Sequence, residues 1–157
     1  MIRPRLSLPA LSFVVAVLLV GTIPEAVRAQ SPELPSLVAY RSRLVVEPQL
    51  QFRTIAQRCA ALYRSLAAWT GGWDPDGASA MRRDAAVFEA AAVRGRVSAG
   101  SNRADAEAAV SAAVTTAERL YGDRVGNAPT APQLAGDDFL ASDLGVCRSM
   151  ADIIGSD

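Results

Sequence analysis

The sequence predicts an all-α protein, a small up-down bundle of about four helices that follows an N-terminal signal peptide. Apolar residues recur at steps of three and four along four separate stretches, which is the spacing of one face of an α-helix. Both cysteines of the chain, Cys59 and Cys147, fall on such faces. A total of 157 residues is within the usual range for one domain, and we find no convincing strand pattern and no internal repeat.

Residues 1–29 have the order of a secretory signal peptide. Arg3 and Arg5 give a positive start, residues 11–20 are apolar except for Ser12, and residues 27–29 form a small-residue cleavage site. The apolar run is about half the roughly 20 residues that a membrane-spanning helix needs, so a retained anchor is the less favoured alternative. We therefore expect a periplasmic or secreted protein with no membrane contact after cleavage, as is typical of small exported bacterial proteins.

The charge of the mature chain excludes a basic surface for nucleic acid. Cleavage after residue 29 takes away three of the 16 arginines and one of the 16 acidic residues, which leaves 13 and 15 and a net charge of −2. Nucleic-acid binding needs clustered basic residues, so no nucleic-acid partner is expected. The chain also has no histidine and no lysine. This excludes Ser-His-Asp catalysis, the usual zinc sites and Schiff-base chemistry, and no metal or other cofactor is expected.

The central helix of the bundle is predicted from Pro48 to about Trp69. Proline suits the first turn of a helix, and Gly71 and Gly72 follow its end. Residues 30–47, which precede it, are either a mobile lead-in or a short helix capped by Ser36. The face that the central helix buries consists of Phe52, Ile55, Cys59, Leu62, Tyr63, Leu66 and Trp69.

Two further helices are predicted in the middle of the chain. The first begins near Ser79 and fades within residues 95–100. The next is capped by Ser101 or Asn102 and continues to about Tyr121. This helix is rich in alanine, and an apolar patch along it is the feature expected of a partner-binding or chaperone-like protein.

The last helix is predicted to begin at Asp137 or Asp138 and to end at Gly155. Residues 122–136, with three glycines and two prolines, are interpreted as irregular. Negative charge is favoured at a helix start, which explains the aspartate pair without catalysis. The bundle domain then comprises residues 48–157.

The cysteine pair is the strongest signal in the sequence. An exported chain enters an oxidising compartment, so Cys59 and Cys147 are predicted to form a disulfide; two buried free thiols are the alternative. Such a disulfide would stabilise the fold by roughly 4 kcal/mol if it acts by lowering the entropy of the unfolded chain. Asp143 lies one turn before Cys147 and is expected to accept a hydrogen bond or an arginine from a neighbouring helix.

Residues 74–77 resemble part of a calcium loop but lack its full ligand set. A calcium loop needs a glutamate at its twelfth position, and counting from Asp74 that position is Ala85. We interpret these residues as a Pro-Asp-Gly turn. The loop also carries Trp73, which with Arg82 and Arg83 is our candidate for contact with a partner.

Three functions follow as hypotheses. The first is an exported, non-catalytic helical protein with a binding or structural role toward an unknown protein or small molecule. The second is a carboxylate-based hydrolase or lyase, which needs Asp74 with Asp76, or Asp137 with Asp138, to converge in a cleft. The third is a carrier of a small apolar ligand, which needs a cavity of several hundred Å³ in the bundle core.

Overall fold

A computed structural model describes residues 34–43, 48–128 and 130–155, and this part of the chain is helical with no strand. The signal peptide predicted for residues 1–29 lies outside the described residues. Among the described helices, none combines the length and the apolar character needed to cross a membrane. The described residues form six helices, of which four are long. In chain order they are α1 Leu37–Arg43, α2 Pro48–Thr70, α3 Pro75–Ser98, α4 Arg103–Gly126, α5 Ala131–Ala135 and α6 Asp138–Ile154.

The helix around which the described residues pack is α2, as its apolar face predicts. It packs most extensively against α3, next against α4, and also against α6. All eight residues from Ile55 to Leu62 are buried, including the polar Gln57 and Arg58. A helix that is buried on consecutive positions is enclosed by its neighbours on every side, so it cannot be a surface helix with one apolar stripe.

A disulfide joins α2 to α6. It links Cys59 to Cys147, the pair that the sequence predicts, with 5.4 Å between their Cα atoms. Both cysteines are completely buried in the core. The bridge therefore holds the last helix against the central one from inside the bundle.

The start of α3 differs from our sequence prediction. The helix begins at Pro75, one turn before Ser79, and Asp74 is its N-cap residue. The Asp74 carboxylate accepts a hydrogen bond of 2.9 Å from the Gly77 backbone N–H, and Pro75 occupies the first helical position, where a missing N–H does no harm. Our interpretation of residues 74–77 as a separate turn was wrong. Aspartate and proline are common both in turns and at helix starts, so these residue types alone do not distinguish the two.

The segment between α4 and α6 is more helical than predicted. Helix α4, whose N-cap is Asn102, continues through Gly122 because Tyr121 and Val125, one turn apart, are both buried. The short helix α5 then forms inside the stretch that we interpreted as irregular. The start of α6 was correctly placed, since the Asp137 carboxylate caps it by accepting from the Leu140 N–H at 3.0 Å.

Candidate functional site

A cluster of buried polar side chains connects α2, α4 and α6. Arg58 Nη2 lies 2.6 Å from Asp143 Oδ2, and the Tyr121 hydroxyl donates to the same carboxylate oxygen at 2.5 Å. Arg58 Nε donates in turn to the Tyr121 hydroxyl oxygen at 3.1 Å. The arginine that was expected to pair with Asp143 is therefore Arg58, which lies on the neighbouring central helix.

The chain before α1 completes this cluster. The Leu37 backbone N–H donates to Asp143 Oδ1 at 2.5 Å, and Arg58 Nη1 donates to the Pro35 carbonyl at 2.6 Å. Both carboxylate oxygens thus have donors, as a buried carboxylate requires. Short helix α1, with Ala39 N–H donating to the Ser36 hydroxyl, is fixed to α6 by this contact.

The contacts of this buried cluster indicate a structural role. Burial raises the pKa of Tyr121 above its usual value, although the nearby Arg58 cation acts in the opposite direction. The phenol therefore stays protonated and acts as a donor. Asp143 is completely buried, and its partners are all groups of the protein itself, so a substrate has no access to it.

The aspartate pairs proposed for catalysis each contribute a helix cap. Asp74 caps α3 and Asp137 caps α6, and Asp137 also lies 3.5 Å from Arg124. Their neighbours Asp76 and Asp138 are in the first turns of the same helices and are exposed. No group of three potential metal ligands occurs among the described residues.

The three candidate contact residues lie on or just before α3. Trp73 is 63% exposed and meets the Trp69 ring edge-on, with the ring centroids 5.3 Å apart. Arg82 and Arg83 are both exposed, and of these three residues Arg82 alone lines the groove between α2 and α3. Nothing in the structure joins them into one site.

A concave surface that is lined mainly by leucine and alanine lies between α2, α5 and α6. Buried Leu62, Leu66 and Leu140 form its floor, while its rim contains exposed Ala141 and Arg148. Its volume is about 330 Å³. We call this surface the leucine groove, and its full lining is Leu62, Leu66, Ala131, Leu134, Ala135, Leu140, Ala141, Leu144 and Arg148.

Three contacts shape the leucine groove. The disulfide, which is one turn from Leu62 on α2 and one turn from Leu144 on α6, holds these two helices together. The Trp69 indole N–H donates to the Ala128 carbonyl at 3.1 Å, which fixes the chain before α5 against the end of α2. Helix α5 packs against α6 and contributes Leu134, which is half-buried against the core. The groove is thus a consequence of a short helix that covers only part of the α2–α6 junction.

Arg148 is a cation at the edge of this apolar surface. No ion pair or hydrogen bond joins it to another described residue. Burial and, to a smaller extent, the Asp84 carboxylate raise the pKa of the Tyr63 phenol, and the Arg148 cation lowers it to a smaller extent still. The Tyr63 hydroxyl likewise has no hydrogen-bond partner among the described residues.

Sequence reasoning missed both Arg58 and Arg148. The signal for Arg58 was its place directly before Cys59, which lies on the apolar face of α2. The signal for Arg148 was weaker, since it follows Cys147 directly and so borders the inward face of α6. The expected apolar patch along the alanine-rich helix is absent, because α4 exposes no large hydrophobic side chain.

Comparison with known proteins returns no relative from which a function could be transferred. The chain matches no protein-family model, no curated protein and no solved structure. The functional assignment below therefore depends on the geometry of the described residues.

Proposed function

We propose that this protein is an exported, non-catalytic helical binding protein that holds a small apolar molecule in the leucine groove. The observation that carries the proposal is a concave surface of about 330 Å³ with five leucines. Small-ligand sites are concave, mainly apolar and about 300–1,000 Å³ in volume, so the groove lies at the lower end of that range. Export is supported by the predicted signal peptide and by a disulfide, which is typical of oxidising compartments.

Binding has more support than the hydrolase or lyase alternative. Asp74 and Asp137 are engaged as helix caps, and the buried Asp143 carboxylate is saturated by donors of the protein. The groove itself is lined by leucine, alanine and one arginine, which include no general base or nucleophile. The ligand site differs from the core cavity of our third hypothesis, because it opens at the edge of the up-down bundle that we propose.

A neutral fluorescent probe tests the binding function. We expect N-phenyl-1-naphthylamine to bind the wild-type protein saturably at one site, with increased emission. Ala141 is exposed and lines the leucine groove, so Ala141→Trp should fill the groove without disturbing the core and should abolish the signal. The matched control is Ala86→Trp, an exposed alanine in the groove between α2 and α3, which should leave the titration unchanged. Absence of saturable binding by the wild type would contradict the proposal.

A protein partner at Trp73 is the second candidate function. A tryptophan with 63% exposure is an unusual amount of apolar surface to leave in water, and tryptophan is enriched at the energetic centres of interfaces. A photo-crosslinking amino acid at position 73 should then capture a defined partner in the exported fraction. The same group at exposed Val97, at the other end of α3, should capture none.

A further inference from the structure

The leucine groove has one charged group, and its position indicates the chemistry of the ligand. The floor and walls are aliphatic, while Arg148 is exposed at the rim and forms no ion pair with a described residue. An arginine guanidinium is a planar set of donors that matches a carboxylate in geometry and charge. A ligand with an aliphatic body and an anionic end would therefore be complementary both to the apolar lining and to Arg148.

The groove also limits the size of the aliphatic body. A volume of about 330 Å³ corresponds to on the order of ten methylene groups, if each takes roughly the 30 Å³ of a water molecule in the liquid. Helix α5 closes one side and the α2–α6 junction forms the floor, so an aliphatic chain can lie between the two. Burying such a chain removes its apolar surface from water, which supplies the affinity.

We propose that the leucine groove binds a free medium-chain fatty carboxylate, with the alkyl chain along Leu66, Leu134 and Leu144 and the carboxylate paired with Arg148. This inference rests on the proposed binding function and adds the ligand class to it.

The test compares three ligands that share a ten-carbon chain and differ in their ends: decanoate, decanol and protonated decylamine. Each displaces N-phenyl-1-naphthylamine from the disulfide-bonded protein, purified after expression of the full chain and measured below the micelle threshold of each ligand. We expect decanoate to bind about tenfold more tightly than decanol, since a hydrogen bond to a charged group is worth about that factor, and decylamine to bind most weakly.

Two substitutions at the exposed Arg148 make the test specific. Arg148→Gln should remove the preference of decanoate over decanol. Arg148→Glu should reverse the order, so that decylamine binds more tightly than decanoate. Because Arg148 is exposed and has no partner among the described residues, neither change is expected to affect folding, and circular dichroism verifies this.

The outcomes separate the ligand class from the binding function. If wild-type protein binds decanol and decanoate equally, or if the order survives Arg148→Glu, the carboxylate assignment is overturned while the binding function stands. If the neutral probe and decanol both fail to bind, the binding function itself is overturned. Displacement that persists unchanged in Ala141→Trp would place the ligand outside the leucine groove and would also overturn the proposal.

Discussion

Arg58 and Asp143, 85 residues apart in sequence, form a 2.6 Å ion pair inside the helical bundle. The arginine side chain is 6% exposed and the aspartate side chain is not exposed at all. The pair also reaches the backbone of residues 35 and 37, so one buried contact connects the first, second and last helices. Its energetic role can be measured separately from that of the disulfide.

Breaking this pair should destabilise the fold strongly. Asp143→Ala leaves the Arg58 cation buried without its counter-ion, which costs about 3–5 kcal/mol of unfolding free energy. Urea denaturation monitored by circular dichroism measures the change. The control is Arg103→Ala, which removes the exposed pair with Glu107 at 3.6 Å and should change stability by no more than about 0.5 kcal/mol.

Replacing both members of the pair should be less harmful than replacing one. The double variant Arg58→Met, Asp143→Leu leaves no unpaired charge, so we expect it to be more stable than either single variant. The account is contradicted if each single variant lowers the free energy of unfolding by less than about 1 kcal/mol. It is also contradicted if the loss in the double variant equals the sum of the two single losses.

The Tyr121 hydroxyl should contribute to stability in a pH-dependent way. Tyr121→Phe removes a donor to Asp143 and should cost about 1–3 kcal/mol at neutral pH. Burial raises the folded-state pKa of Tyr121 above the unfolded value of about 10. The contribution is therefore fully present below pH 10 and is lost as the pH rises from there toward the raised pKa. The unfolding temperatures of wild type and Tyr121→Phe should therefore converge as the pH is raised from 8 to 11. A difference that stays constant over this range would contradict the account.

Loss of the disulfide should destabilise the protein without changing its helical content under mild conditions. The bridge closes a loop with a sequence separation of 88, for which the chain-entropy account gives a loss of roughly 4 kcal/mol. Denaturation with and without reductant measures this. The double variant Cys59→Ala, Cys147→Ala should be insensitive to reductant. In the exported wild type, alkylation of either cysteine without prior reduction would contradict the bridge.

Two helical glycines should respond to alanine in opposite directions. A Cβ atom at Gly122 would meet nothing within 4 Å, so Gly122→Ala should stabilise α4 by about 0.5–1 kcal/mol. A Cβ atom at Gly95 would come within 2.8 Å of Arg53 Cγ on α2. Gly95→Ala should instead cost about 1–3 kcal/mol, because the base of the Arg53 side chain, or α2 with it, would have to shift. Equal changes in thermal stability would show that α2 and α3 do not approach closely at Gly95.

The sequence was sufficient for the long helices and for the cysteine pair. Periodic apolar residues place α2 from Pro48, and the same spacing places both cysteines on inward faces. Helix ends were harder to predict. Asp74 and Pro75 are common both in turns and at helix starts, and the burial of Val125 that carries α4 past Gly122 depends on contacts with other helices.

The candidate site could be predicted only in part. Asp143 was expected to accept an arginine because it shares a side of α6 with Cys147, but the identity of that arginine depends on how α2 rotates in the bundle. The leucine groove requires α5, a five-residue helix in a stretch rich in glycine and proline, to lie against α6. No periodicity exists over so few residues, so the groove and the role of Arg148 emerge only from the packing.

The most direct test of the leucine groove is a methyl-detected NMR titration of the disulfide-bonded protein with decanoate. We predict saturable shifts at the methyl groups of Leu66, Leu134 and Leu144, which line the groove, and none at Val110 and Val114, which are buried on α4. Saturation without shifts at the three leucines, or shifts confined to Ile55, Val146 and Met150 in the groove at the other side of the α2–α6 junction, would contradict the account.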